Sequence, residues 1–184
     1  GIHPSVIIGK NTVVEPNVSI GKDSVIDENC VIKNGSIIGK NCEIQSGSII
    51  GAEGFGYERF EDKKPIKFPH LGGVKLGDFV TIGANNVICR GTLNDTKIGD
   101  HTKLDALVHV GHNSQIGKSV LVAACAEISG SVMIGDNVWI SPNVSLKNKI
   151  EIGSASVVGI GAVVLQDVKP NVVVAGVPAK EIEK

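Results

Sequence analysis

The chain has 184 residues, 42% hydrophobic and 20% charged, with a formal net charge of −1. That is the size of one ordinary domain with material for a continuous core, and it carries no excess charge to draw it to nucleic acid or an anionic membrane. No stretch approaches the ~20 consecutive apolar residues that span a bilayer, and no signal-peptide pattern is seen. Cys30, Cys42, Cys89 and Cys125 are scattered, with no CxxC pair, so they read as reduced, mostly buried residues of a cytoplasmic protein and not as a disulfide frame or zinc site. The chain opens at Gly1 without an initiator Met, which leaves open that it is part of a longer protein.

In chain order, the dominant signal is a repeat. An aliphatic residue recurs at every sixth position from Ile2 through Ile8, Val14, Ile20, Ile26, Ile32, Ile38, Ile44 and Ile50. The register returns at Leu76, Ile82 and Ile88, slips by four residues, and runs from Ile98 to Val164. Gly often follows the aliphatic, and a small residue stands three further on. A helix needs a period near 3.6 and a half-buried strand a period of two, so a strict six fits neither alone. It fits short strands joined by tight turns, where Gly relieves strain at positive φ or permits close backbone approach. Three hexads close a triangular coil of about 18 residues, and stacked coils bury an aliphatic column. The expected fold is therefore all-β, a parallel β-helix of about eight coils. With only 3% aromatic residues, its core is filled by Ile, Val and small side chains.

Two segments break the register. Residues 54–73, GFGYERFEDKKPIKFPHLGG, hold the only Tyr and three of the four Phe, and are expected to protrude as a long loop. A second bulge falls around Asn94 to Lys97. The predicted organisation is a β-helix over 1–169 and a C-terminal cap over 170–184.

A coil of 18 converts spacing into stacking. His112, Gly130 and Asn148 are separated by 18 each and should share one edge, with Arg90 below His112 once the bulge is looped out. An outward imidazole accepts protons at neutral pH. Asp105 is the nearest carboxylate in sequence to orient it, and the amide of Gly130, unblocked by a Cβ, suits an oxyanion. The bland alternative is an inert surface histidine. His3 and His101 read as solvated. His109 with His112 lacks a third metal ligand and does not match the γ-carbonic anhydrase pattern, so no metal is expected. Phe55, Tyr57, Phe60, Phe68 and His70 of the loop either shape a substrate site or pack the loop onto the coil. GFGYE lies in no strand–helix unit and is no dinucleotide fingerprint.

These residues resemble the hexapeptide-repeat, left-handed β-helix acyltransferases. GIHPS at 1–5, IQSGSIIGAEGFGY at 44–57, HVGHNSQIG at 109–117 and ISGSVMIGD at 128–136 are similar to the UDP-3-O-acylglucosamine N-acyltransferase family of lipid A biosynthesis. So is the run from Leu76 to Thr96. The resemblance implies His112 as general base, Asp105 as its partner and Gly130 as oxyanion donor. It also implies a homotrimer acting on a nucleotide-sugar, for which the loop residues Phe55, Tyr57, Phe68 and His70 and the stacked Arg90 and Asn148 are the candidate substrate contacts. A second family histidine is replaced here by Asn148 and Lys149. The ending DVKPNVVVAGVPAKEIEK resembles coenzyme A-dependent sugar acetyltransferases, which implies Gly176, Pro178 and Lys180 beside the cofactor. The leading expectation is thus an acetyl-CoA-dependent sugar acyltransferase. An acyl carrier protein-dependent N-acyltransferase is the alternative, and a non-catalytic scaffold the reading of another class.

Overall fold

The structure, a computed structural model, describes residues 1–182; the last two positions of the expected cap, Glu183 and Lys184, lie outside it. Among the described residues every regular element is a strand, most of them two residues long. Three sheets form the faces of a triangular coil. The first face starts at Ile7–Ile8, the second at Val13–Val14 and the third at Ser19–Ile20, and the sheets grow to ten, eight and seven strands. The coil is a left-handed parallel β-helix, against the right-handed preference of ordinary crossovers.

The pairing register is the repeat made visible. Ile8 pairs Ile26 and Ile26 pairs Ile44, each 18 residues on. Across the long loop Ile44 pairs Ile82, and across the bulge Ile82 pairs Leu104. Both insertions leave the ladder without shifting which side chains face inward. The inward aliphatics Ile26, Ile44, Ile82, Leu104 and Ile140 are essentially inaccessible, each burial stabilising by roughly 1.5–3 kcal/mol.

The small residues of the hexad have a polar task. Ser24 Oγ donates to Gly39 O at 2.9 Å and accepts from Cys42 N at 3.0 Å, and Ser48 and Thr102 repeat the arrangement. A buried hydroxyl is tolerated because it is fully paired. Both expected roles for glycine occur, positive φ at Gly51 after Ile50 and close approach after most of the other aliphatics. A Cβ on Gly99 would stand 2.6 Å from Gly117 O on the next rung, while its φ is not positive. Positive φ falls two residues later, on Asn17, Asn29, Leu107, Asn113 and Cys125 among others.

The two insertions pack on each other. Within 54–73 the strands Tyr57–Arg59 and Pro65–Lys67 form an antiparallel hairpin. Its base is held by the Lys67–Glu53 ion pair at 2.6 Å and by Leu71 N–H to Thr92 O at 2.6 Å. At the C-terminal end, Val173–Ala175 continues the first face in parallel with Val157–Val158, and Lys180–Ile182 folds back antiparallel on it. The coil thus runs past the expected boundary at 169/170, to Ala175. Among the described residues nothing folds over the first coil, and Ile2, Ile7, Ile8 and Val13 are exposed.

Candidate active site

The edge between the second and third faces carries the stacked column. Val87 pairs His109, and His109 pairs Glu127, which sets Arg90, His112 and Gly130 on successive rungs. The backbone ladder confirms the stack, with Ser131 N–H donating to His112 O at 2.8 Å and Lys149 N–H to Gly130 O at 3.1 Å. The His112 ring lies against the face of Gly130, where a Cβ would stand 2.8 Å from Nε2. The Gly130 N–H donates to none of the described residues, which leaves it available to a ligand. Both residues line a cleft of about 430 Å³ together with Glu53, Phe55, Cys89, His109, Glu127 and Ser129.

The loop closes one side of this site. His70 is 4% exposed and stacks on Phe68 at 5.6 Å, with its edge set 5.1 Å from His112. Neither of its ring nitrogens has a partner. Burying both without a hydrogen bond is unfavourable; His70 stands behind the cleft wall, and it, Tyr57 and Phe68 are not among the residues that line the cleft. Phe55 is 87% exposed at the mouth of the cleft and tilts against Tyr57 at 4.9 Å. Burial, then the nearby His70 and His109, hold His112 below the ordinary histidine pKa, so the ring is neutral at pH 7.

Three expected roles change. Asp105 stands on the other edge, between the first and second faces, where it accepts from Ala106 N–H at 2.7 Å and lines a different cleft with Trp139. It does not orient His112, because seven residues carry the chain across a whole face. Asn113 does so instead, its Nδ2 standing 3.2 Å from His112 Nδ1 while its Oδ1 is fixed by Thr92 N–H at 2.7 Å. Arg90 sits beneath His112 as counted, but its guanidinium is tied to Gly51 O at 3.1 Å and to Asn34 O. It braces the base of the loop and does not line the cleft. Asn148 lies on the column, exposed, and likewise does not line the cleft.

The tail reaches the same edge further along. Gly176 O accepts from Val163 N–H at 3.1 Å, and Lys180 lines a groove with Gln166, three rungs beyond His112. Three rungs correspond to about 14 Å along the axis. Pro178, in the turn before Lys180, is not among the residues lining that groove.

One cluster escaped the sequence reading. Cys89 Sγ is 3.5 Å from His109 Nε2, and His109 Nδ1 is 2.9 Å from Glu127 Oε2, on three successive rungs. Cys89 and then Glu127 push the His109 pKa up to about 10. The 18-residue interval from His109 to Glu127 was a usable signal; the bulge between Cys89 and His109 hid the rest. With its two nitrogens committed to different partners, His109 does not converge with others on a metal, and no such convergence of three ligands occurs among the described residues. An apolar groove of about 590 Å³ on the third face, beside Ile37, Ile98, Ile116 and Met133, is lined by no imidazole or thiol.

Residues 17–52 and 95–130 match the bacterial transferase hexapeptide (six repeats) model. The chain is a hexapeptide-repeat β-helix. This β-helix is 38% identical over 119 residues to a UDP-3-O-acylglucosamine N-acyltransferase of Caulobacter sp. (strain K31), covering 65% of the chain and 35% of that protein. It is 51% identical over 80 residues to the enzyme of that name from Verminephrobacter eiseniae, covering 44% of the chain and 24% of that protein. The hexapeptide β-helix therefore spans about a third or less of the length of these relatives. Among solved structures, the Francisella novicida UDP-N-acetylglucosamine acyltransferase superposes with a TM-score of 0.88 at 27% identity, over 98% of this chain and 64% of its own. LpxA from Acinetobacter baumannii gives 0.87 at 25% identity, over 98% and 73%.

Proposed function

We propose that the cleft beside His112 transfers an acyl group from a pantetheine thioester to the amino group of a UDP-linked glucosamine-type sugar. The observation that carries this reading is the contact of a neutral imidazole with a glycine whose N–H is unpaired, one rung apart, in a cleft walled by an aromatic loop. The amine attacks the thioester carbonyl, Gly130 N–H receives the oxyanion, and His112 takes the proton released. Asn113 gives this step a condition. Its amide N–H at Nδ1 keeps that nitrogen an acceptor, so uptake of a proton at Nε2 requires the Asn113 contact to break. In this reading Phe55, at the mouth of the cleft, stacks on the substrate with Tyr57 behind it, and the unpartnered His70 nitrogens gain a hydrogen bond when the loop shifts to admit it.

The relatives are named for N-acyl transfer involving a UDP-3-O-acylglucosamine; with that chemistry we take an acyl carrier protein thioester as the first donor to test, and a cytoplasmic homotrimer as the working unit. Acetyl-CoA is a second donor, favoured by the position of Gly176 and Lys180 beyond His112, where the distal part of a pantetheine-bearing cofactor would lie. Mass spectrometry of products from UDP-amino sugars with acyl carrier protein thioester or acetyl-CoA separates the two donors. Absence of product with both, over a panel of UDP- and dTDP-amino sugars, refutes the reading in favour of a scaffold.

A further inference from the structure

Two carboxylates line the cleft that holds His112 and Gly130, and their partners differ in kind. Glu127 is committed within the coil, 2.9 Å from Nδ1 of His109 on the preceding rung, and that imidazole is charged at neutral pH with its pKa pushed up to about 10. The two charges cancel. Glu53 is committed to Lys67 at 2.6 Å, and Lys67 belongs to the hairpin and does not line the cleft. Glu53 itself follows directly on the coil strand Ile49–Ala52 and precedes Gly54, where a Cβ would stand 2.9 Å from His112 Cβ. The carboxylate is thus anchored to the coil beside the imidazole, while the cation that neutralises it rides on the insertion. The resting place of that insertion is not fully satisfied. His70 at its foot is buried with both ring nitrogens unpartnered, a cost that a shift of the loop relieves. Such a shift carries Lys67 away and leaves Glu53 as the uncompensated charge among the residues lining the cleft.

We infer that Glu53 binds the acceptor, exchanging the Lys67 ammonium of the closed hairpin for the ammonium of the incoming amino sugar. This rests on the acyl-transfer reading above and says what selects an amine over a hydroxyl. A sugar amine, like an α-amino group, is partly protonated at neutral pH. Its ammonium offers the carboxylate the same charge and the same donors as lysine does. A hydroxyl brings no charge and does not displace Lys67. Once docked, the ammonium gives one proton to solvent at the mouth of the cleft. The free amine then attacks the thioester carbonyl as described, and His112 takes the proton released at that step. Entry of an amine and opening of the hairpin are in this way one event, so the binding energy of the correct acceptor moves the loop.

The test compares UDP-glucosamine with UDP-glucose, which differ by an amino group in place of a hydroxyl, by calorimetric binding to the full chain without donor. Wild type should prefer UDP-glucosamine. Glu53→Gln should remove that preference, weakening UDP-glucosamine about tenfold or more, the loss of one charge-assisted hydrogen bond, and UDP-glucose far less. Lys67→Gln should act in the opposite direction, tightening UDP-glucosamine about two- to fivefold because the competing cation is gone. A pair that only braces the hairpin responds alike to loss of either member. Changes of the same sign in the two variants therefore overturn the assignment, as does equal weakening of both nucleotides by Glu53→Gln. Should Glu53→Gln fail to fold, Lys67→Gln decides alone, and no gain for UDP-glucosamine overturns the assignment. Turnover with acyl carrier protein thioester or acetyl-CoA separates this inference from the reading beneath it. N-acyl product from wild type with an unchanged kcat/KM in Glu53→Gln overturns the role of Glu53 and leaves acyl transfer standing. Amine-selective, Glu53-dependent binding without product from either donor supports the role of Glu53 and overturns the transfer.

Discussion

The edge between the first and second faces and the edge between the second and third are built from the same hexads, and differ in what is folded against them. On the first, Asp105 caps its own neighbour's amide and faces solvent. On the second, the hairpin of residues 54–73 returns to lay His70 against His112, and the bulge carrying Thr92 fixes Asn113 beneath the ring. The repeat only distributes side chains along edges. An insertion that covers one edge lowers water access there and turns an exposed imidazole into a perturbed one.

That contrast can be broken most severely by His112→Ala, which should lower turnover on the order of 10²-fold or more with the melting temperature unchanged, since the ring contributes nothing to the aliphatic column. Retained turnover would move the chemistry off this edge. His70→Phe comes next, with kcat/KM falling about tenfold, the loss of one good hydrogen bond to substrate. Stability should hold or rise in that variant, because two unpaired buried nitrogens are removed. Equal kcat/KM would reduce the loop to packing.

Asn113→Asp sharpens the difference between the edges by supplying the carboxylate that Asp105 does not. A negative charge at Nδ1 favours the protonated ring, so the acid limb of the pH–rate profile should move to higher pH; no movement would show that Asn113 does not control the tautomer. Glu127→Gln tests the neighbouring pair through stability. The folded-state pKa of His109 is raised from 6.5 to about 10, so the stabilisation it adds is complete below the unfolded value and lost as pH rises through the folded one. Wild type should therefore exceed the variant in melting temperature most at pH 6, with the gap closing by about pH 10. A gap that widens with pH would contradict the ion pair. The smallest effect belongs to Asp105→Asn, for which turnover should stay within about twofold, the range of an exposed surface change.

The coil itself was legible in the sequence because one rule, an inward aliphatic every six residues, is enforced by a core with no room for exceptions. Spacing also put Arg90, His112 and Gly130 on one edge correctly. Asp105 was misplaced because nearness in sequence was used where only multiples of 18 mean nearness in space. His70 was named as a substrate contact from its setting in an aromatic loop, but its approach to His112 depends on how a 20-residue excursion folds back, and no period encodes that. The Cys89–His109–Glu127 file was half readable. The interval between His109 and Glu127 is one coil, whereas Cys89 lies across the four-residue slip.

The corners of this coil hold L-residues in a left-handed backbone setting, and not always the Asn that tolerates it. Leu107 and Ala155 occupy such positions with φ near +60°, where a side chain with a Cβ is disfavoured by roughly 1–2 kcal/mol. Since each rung touches only the next, these joints can be eased one at a time, by Leu107→Asn or Ala155→Gly, and their gains should add. The scaffold thus holds an untapped reserve of heat tolerance in its bends, remote from the edge that carries His112.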